Sequence, residues 1–154
     1  MPYESIPQFD TRGVCVSLFR DVKNIEELRS KVGTMPFAVI DASCVCCREQ
    51  LFSAVYKALI EWKYNRLRTK ALHSECILSL SPTSNIGEAF RRFGIKEGTR
   101  NIICLAVVGK NETQTSELFD VVDGEEVELS DENLGSMFDL EMIKKVCWPL
   151  KVFQ

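Results

Sequence analysis

The longest sustained helical pattern in the sequence covers residues 47–70. Apolar side chains recur there at intervals of three and four residues, and they are Leu51, Phe52, Val55, Ala58, Leu59 and Trp62. This spacing places them on one face of an amphipathic helix. We therefore expect the first part of this helix to be packed into the core, with the remaining elements arranged around it.

Four short apolar runs predict β-strands at residues 14–20, 37–41, 76–80 and 102–108. Each is rich in branched or aromatic side chains and is bounded by turn-forming residues. The run at 102–108 is apolar without interruption and too short for a typical helix. It predicts a strand that is buried on both faces.

Capping signals predict helices between these strands. Asn24 is followed after three residues by Glu27, and Asn85 in the same way by Glu88. This spacing is typical of a helix N-terminus, where the two side chains satisfy unpaired backbone N–H groups. Gly94 predicts the end of the second of these helices.

The secondary structure of the later part of the chain is less clearly indicated by the sequence. Residues 116–122 have helical spacing, and we favour a helix ended by Gly124. The alternative is a hairpin with its turn at Asp123-Gly124. A last helix is expected from Asp139, as the N-cap, to about residue 147.

The resulting order, β-α-β-α-β-α-β, indicates an α/β or α+β mixed fold with a central sheet of about four strands covered by helices. The length of 154 residues fits a single domain. We assign residues 1–13 to a loose N-terminal arm and residues 14–154 to that domain.

Composition and hydropathy limit the cellular compartments in which we expect the protein. The net charge is −3, no apolar run resembles a signal peptide, and no stretch is suited to spanning a membrane. We therefore expect a cytoplasmic and nuclear protein with no membrane partner. The seven cysteines are expected to be reduced in those compartments.

Charge is unevenly distributed along the chain. The far end of the long helix combines aromatic residues with five cations, which are Lys57, Lys63, Arg66, Arg68 and Lys70. The stretch between Lys110 and Lys144 contains acidic residues but no Lys or Arg. One interpretation makes the basic end a docking surface for phosphate or an acidic partner. The other is a solvated helix face whose cations favour the helix C-terminus.

Candidate chemistry is sparse. Cys44, Cys46 and Cys47 form a tight cluster, and a thiol-dependent enzyme would need His73 as its base. We favour a structural role for these cysteines as small buried hydrophobes. A zinc site would need further ligands at workable spacing, and the phosphate-binding glycine motifs are absent. Asp41 is expected to cap or turn the chain. We therefore predict no catalytic residues, no metal and no cofactor, which is typical of a binding subunit.

An ordered set of local sequences nevertheless resembles one family. The segments are LFRDVKN at 18–24, FAVIDA at 37–42, AVYKA at 54–58, RTKALHSECI at 68–77, LSPTSNI at 80–86, EAFRRFGI at 88–95 and IKK at 143–145. Together they are similar to the PRPK-binding-protein family, the small kinase-binding subunit of the KEOPS/EKC complex. The resemblance covers about residues 14–148.

The resemblance implies a non-catalytic α/β subunit that binds and modulates a small atypical protein kinase of the PRPK/Bud type. The whole complex makes threonylcarbamoyl-adenosine in transfer RNA. It also implies weak transfer-RNA binding through a basic surface, for which Lys57, Lys63, Arg66, Arg68 and Lys70 are the best match. No small-molecule substrate is implied. The alternatives are a stand-alone transfer-RNA-binding module and, less favoured, the thiol-dependent enzyme.

The sequence departs from the family near residue 148. Relatives continue into one more short helix, which contributes to kinase docking and to contact with the transfer-RNA end. Residues 148–154 replace it here, and their Trp148, Leu150 and Phe153 are candidates to fill the same groove. We therefore expect a domain that lacks the last helix of the family and an altered kinase contact.

Overall fold

The structure is a computed structural model, and it describes residues 3–6, 9–32, 34–69, 71–81, 85–109 and 118–138. Within these ranges the chain forms five strands, five α-helices and one 3₁₀ turn. In chain order the elements are β1 (Tyr3–Ile6), β2 (Phe9–Arg20), α1 (Ile25–Lys31), β3 (Ala38–Asp41), the 3₁₀ turn (Ala42–Cys44), α2 (Arg48–Lys63), α3 (Leu72–Leu80), α4 (Ile86–Phe93), β4 (Ile102–Gly109), β5 (Glu125–Val127) and α5 (Asp131–Met137).

All the described strand pairs are antiparallel, in the order β1-β2-β4-β3. Strand β2 pairs with β4 over residues 12–19, from Arg12 opposite Gly109 to Phe19 opposite Ile102. Strand β5 also pairs with β2, through residues 18–20. Since β4 occupies one edge of β2 along these residues, β1 and β5 lie end to end on the other edge.

Helices cover both faces of the sheet, and the alternation along β2 assigns its side chains to the two sides. Val14, Val16 and Leu18 belong to the apolar cluster formed with α2, α3 and α4. Cys15 and Phe19 belong to a second cluster, formed with α1. The mixed α/β fold and the burial of the 102–108 strand on both faces are therefore confirmed.

The predicted third strand, at residues 76–80, is wrong. These residues form the second half of α3, which begins at Leu72. Four apolar residues on this helix are buried, and so is Glu75, so α3 has apolar neighbours on several sides. A helix buried in this way loses the polar face on which the period of 3.6 depends, and a short apolar run then looks like a strand. The predicted order β-α-β-α-β-α-β is wrong for the same reason, because three helices separate β3 from β4.

Two further expectations are corrected. Residues 3–6 and 9–12, assigned to the loose arm, instead form β1 and the start of β2. A four-residue edge strand has too few positions for a recognisable alternation, and its pairing with β2 is tertiary information. The long helix ends at Lys63 rather than continuing to residue 70.

The region after β4 matches neither alternative considered for residues 116–122. Residues 118–122 are described, and residues 118–121 form a turn that is closed by the Val122 N–H donating to the Phe119 carbonyl at 3.1 Å. Strand β5 pairs with β2 and not with a preceding hairpin strand among the described residues. Helix α5 was not predicted, although Ser130 caps it by accepting from the Asn133 N–H. The helix predicted for residues 139–147 lies outside the described residues.

Candidate macromolecule-binding site

The predicted basic surface is divided between a helix and the loop that follows it. Lys57 and Lys63 are exposed on α2. Arg66 and Arg68 come after the end of the helix, in the connection to α3. Lys70 lies outside the described residues.

Helix α2 ends in a Schellman motif, and this motif positions Arg66. Asn65 has the left-handed backbone conformation, with φ of 55°. Its N–H donates to the Trp62 carbonyl at 3.0 Å, and the Arg66 N–H donates to the Glu61 carbonyl at 2.7 Å. These two bonds satisfy carbonyls that the last helical turn leaves unpaired. The chain therefore turns away from the helix axis immediately after Tyr64.

Arg66 is also held through its side chain. Its Nη2 lies 3.2 Å from the Glu61 Oε1, and its guanidinium lies 5.3 Å from the centre of the Tyr64 ring. The ammonium of Lys63 approaches the same ring at 5.9 Å. An exposed ion pair of this kind is weak and does not remove the cation from solvent, since 60% of the Arg66 side chain remains exposed.

Arg68 is different, because its partner is buried. The Glu75 carboxylate is fully buried and accepts from the Arg68 Nε at 2.8 Å and the Arg68 N–H at 3.0 Å. The same carboxylate accepts from the Thr69 N–H and Oγ1, each at 3.1 Å. Burying a charged carboxylate costs free energy unless it is paired and hydrogen-bonded. Arg68 therefore has a structural role, whether or not it also contacts a partner. Sequence reasoning missed this pair because it depends on how residues 64–69 fold over α3.

Aromatic side chains accompany the exposed cations. Trp62 is 37% exposed and Tyr64 is 61% exposed, whereas large aromatic residues are more often buried. We call Lys57, Trp62, Lys63, Tyr64 and Arg66 the basic–aromatic end of α2. It combines cations that can contact phosphates with ring faces on which bases can stack.

The cysteine cluster lies at the other end of α2. Cys44 is buried and its Sγ donates to the Arg92 carbonyl at 3.1 Å, as expected for a structural residue. Cys46 and Cys47 are half-buried, with their sulfurs 3.8 Å apart, and the Cys46 thiol donates to the Gln50 Oε1 at 3.1 Å. Within the described part of the chain, no three His, Cys, Asp or Glu side chains group as a metal site requires.

His73 belongs to α3 and supports the sheet. Its Nε2 accepts the backbone N–H of Val107 at 3.1 Å, beyond the point where β3 stops pairing with β4. Burial lowers the pKa of His73 from its ordinary value, which favours the neutral ring. With Nε2 as the acceptor, the proton of the neutral ring is on Nδ1, so neither nitrogen has a free lone pair.

Asp41 has the capping role expected from the sequence. One carboxylate oxygen accepts from the Ser43 N–H at 3.0 Å and from the Ser43 Oγ at 2.8 Å. The other accepts from the Thr99 Oγ1 at 3.2 Å and lies 3.1 Å from the Lys96 Nζ. These contacts tie the end of β3 to the loop before β4. In the described ranges, no helix has the length and apolar character needed to cross a bilayer.

Comparison with known proteins gives consistent results. A family model described as "Kinase binding protein CGI-121" matches residues 19–147. The chain is 49% identical to the EKC/KEOPS complex subunit CGI121 of Kluyveromyces lactis over 144 residues, which cover 94% of this chain and 92% of the relative. The subunits of the same name in Candida glabrata and Schizosaccharomyces pombe are 44% and 34% identical, over 92% and 91% of this chain and 81% and 84% of their own lengths.

Proposed function

The chain belongs to the Kinase binding protein CGI-121 family, and we propose that it acts as a kinase-binding subunit of an EKC/KEOPS complex. The observation that carries this proposal is the similarity to relatives with that name along nearly the whole chain. We propose a small atypical protein kinase as its direct partner. Through the complex, the subunit supports threonylcarbamoyl-adenosine modification of transfer RNA.

The proposed role is non-catalytic. A thiol-dependent enzyme would need His73 to activate a cysteine, but the hydrogen bond from the Val107 N–H occupies its Nε2. The Cys44 thiol is buried and donates to a backbone carbonyl. These side chains are therefore used for structure, and the activity of the complex is assigned to its other subunits.

Transfer-RNA binding is the second part of the proposal. The basic–aromatic end of α2 supports it, since the Lys63 ammonium lies 5.9 Å from the centre of the exposed Tyr64 ring, and Lys57 and Trp62 are also exposed. A small number of cations gives a modest affinity that falls with salt. This suits a subunit that assists the complex in holding its substrate. We further propose that the protein functions in the cytoplasm and the nucleus, which microscopy of the tagged protein would test.

Copurification with the kinase tests the central proposal. The full chain and the recombinant kinase should elute together from size-exclusion chromatography and give a measurable dissociation constant by calorimetry. The Kluyveromyces lactis relative, tested in parallel with its own kinase, serves as the positive control. Binding by the relative without binding by this chain would contradict the proposal.

A further inference from the structure

Two adjacent cysteines lie in the loop that precedes α2, with their sulfurs close together. The Sγ atoms of Cys46 and Cys47 are 3.8 Å apart, and both residues are half-buried. The other described cysteines are buried, and they are Cys15, Cys44, Cys76 and Cys104. A small oxidant dissolved in water therefore reaches this pair more readily than it reaches the buried thiols.

The side chain of Gln50 fixes the position of Cys46. Its Oε1 accepts from the Cys46 N–H at 2.9 Å and from the Cys46 Sγ at 3.1 Å. Its Nε2 donates to the Cys44 carbonyl at 3.3 Å. Cys47 is the N-cap residue of α2, but its side chain makes no capping hydrogen bond. The Cys47 sulfur is therefore not needed to cap the helix, and it lies beside a thiol whose orientation is held.

A disulfide between adjacent cysteines closes a small ring that includes the peptide bond between them. A disulfide bond is about 2.05 Å long, so the sulfurs of Cys46 and Cys47 must approach by about 1.8 Å to form one. Adjacent Cα atoms are about 3.8 Å apart, whereas disulfides usually join Cα atoms separated by about 4.4–6.8 Å. A bond with such a short span is strained and easily reduced, which is typical of reversible disulfides rather than permanent ones.

We propose that Cys46 and Cys47 are a reversible oxidation site, at which a peroxide forms a disulfide that loosens the start of α2. One thiolate attacks a peroxide oxygen, the O–O bond breaks, hydroxide leaves, and the sulfur becomes a sulfenic acid. The second thiolate attacks this sulfur, the S–S bond forms, the S–O bond breaks, and hydroxide leaves. The two thiol protons convert the two hydroxides to water, and the peroxide takes up the two electrons that the sulfurs lose.

The disulfide acts on α2 through the residue that follows the pair. Oxidation removes the S–H group that Cys46 donates to Gln50, and it draws the Cys47 sulfur towards Cys46. Arg48 is the first residue of α2, and its N–H donates to the Asp131 Oδ1 at 2.8 Å, which links the start of α2 to α5. Since one peptide bond joins Cys47 to Arg48, movement of Cys47 weakens this link.

Peroxide treatment of the reduced full chain, followed by alkylation in urea and digestion with trypsin, tests the site. The tryptic peptide of residues 32–48 contains Cys44, Cys46 and Cys47 and no other cysteine. We expect this peptide to lose two hydrogens and to keep one alkylatable thiol, and dithiothreitol should restore all three thiols. Three alkylated thiols after peroxide, a sulfinic acid in place of the disulfide, or a disulfide to a cysteine outside this peptide would overturn the inference.

Single substitutions identify the sulfurs that react. Cys46→Ser and Cys47→Ser should each abolish the loss of two hydrogens. Cys44→Ser is the matched control, because it changes the third cysteine of the same peptide and its hydroxyl can donate to the Arg92 carbonyl as the thiol does. The inference is overturned if the loss persists in Cys46→Ser or Cys47→Ser, or if it disappears in Cys44→Ser.

Hydrogen exchange measured by mass spectrometry tests the effect on α2. Oxidation should speed exchange about threefold at the start of α2 and in α5, because the link between them is weakened. Peroxide-treated Cys46→Ser is the control and should exchange at the rate of the reduced wild-type protein. Equal exchange in the oxidised and reduced wild-type protein would overturn the inference. These measurements do not involve the kinase, so their outcome is independent of the function proposed above.

Discussion

The Nε of Arg68 lies 2.8 Å from the Oε1 of Glu75, a carboxylate with no exposed side-chain surface. This contact supports the α2–α3 connection, and the role of Arg68 in nucleic-acid binding stays a prediction. The same carboxylate also accepts two backbone N–H groups. Residues 68 and 69, in the loop after α2, are therefore fixed by hydrogen bonds to a buried carboxylate.

Glu75→Ala should lower the free energy of unfolding by about 3 kcal/mol, because it leaves the loop donors unpaired over a buried site. Urea denaturation followed by circular dichroism measures the change. Glu61→Ala is the comparison, since it breaks the exposed pair with Arg66 and should cost no more than about 1 kcal/mol. Equal losses in the two variants would contradict a structural role for Glu75.

Replacement of Asn65 tests the end of α2. Asn65→Ala should cost about 1 kcal/mol, because alanine adopts the left-handed conformation less readily than asparagine. Asn65→Gly should be neutral or stabilising at the same position. Thermal unfolding of the pair measures the difference. A less stable glycine variant would show that the Asn65 side chain, and not its backbone conformation, is what matters.

Stability should fall as the pH drops from 7 to 5.5, partly through His73. Its pKa is lowered in the folded state, so the unfolded chain takes up the proton more readily. The contribution of His73 is complete above its ordinary pKa of about 6.5 and is lost as the pH falls towards the lowered value. His73→Gln should show a shallower decline over this range in urea titrations. Because the chain has one histidine, an unchanged slope would assign the decline to other groups.

Native-state alkylation should separate the cysteines into two groups. Cys46 and Cys47 are half-buried and should react with iodoacetamide at pH 8. Cys76 and Cys104 should react only after unfolding, because burial raises the pKa of both thiols, that of Cys76 to about 12. Mass spectrometry of the digested protein measures the extent of alkylation at each cysteine. Fast native reaction at Cys76 would contradict the packing of α3.

The double variant Lys57→Glu, Lys63→Glu should reduce transfer-RNA affinity about tenfold and flatten its salt dependence. These positions avoid the structural pair of Arg68, so a loss of binding cannot be attributed to unfolding of the loop. Lys23→Glu, Lys31→Glu is the control at exposed positions in and just before α1. Fluorescence anisotropy with labelled transfer RNA measures both, and equal affinities would remove the basic–aromatic end from the proposal.

The sequence predicted features whose cause is local. The Asn85 side chain accepts from the Glu88 N–H as expected, and α4 ends at Gly94. The helical spacing also placed Leu51, Val55 and Leu59 on one face of α2, and these residues are buried. These features depend on residues only a few positions apart, which periodicity and capping rules describe.

Features with a distant cause were missed. The pairing of β5 with residues 18–20, and the folding of Arg68 onto Glu75, depend on tertiary arrangement. Asn65 was the one available signal for the early end of α2, because asparagine is common where a helix ends in the left-handed conformation.

The pairing of β2 with β4 has a consequence for synthesis on the ribosome. Residues 12–19 obtain their partner strand only when residues 102–109 have been made. Until then the nascent chain can form the β1–β2 hairpin, while the other edge of β2 stays unpaired. Contacts that are so distant in sequence slow folding and prolong exposure to aggregation. The protein should therefore acquire its sheet late in translation and depend on chaperones more than a helical bundle of equal length.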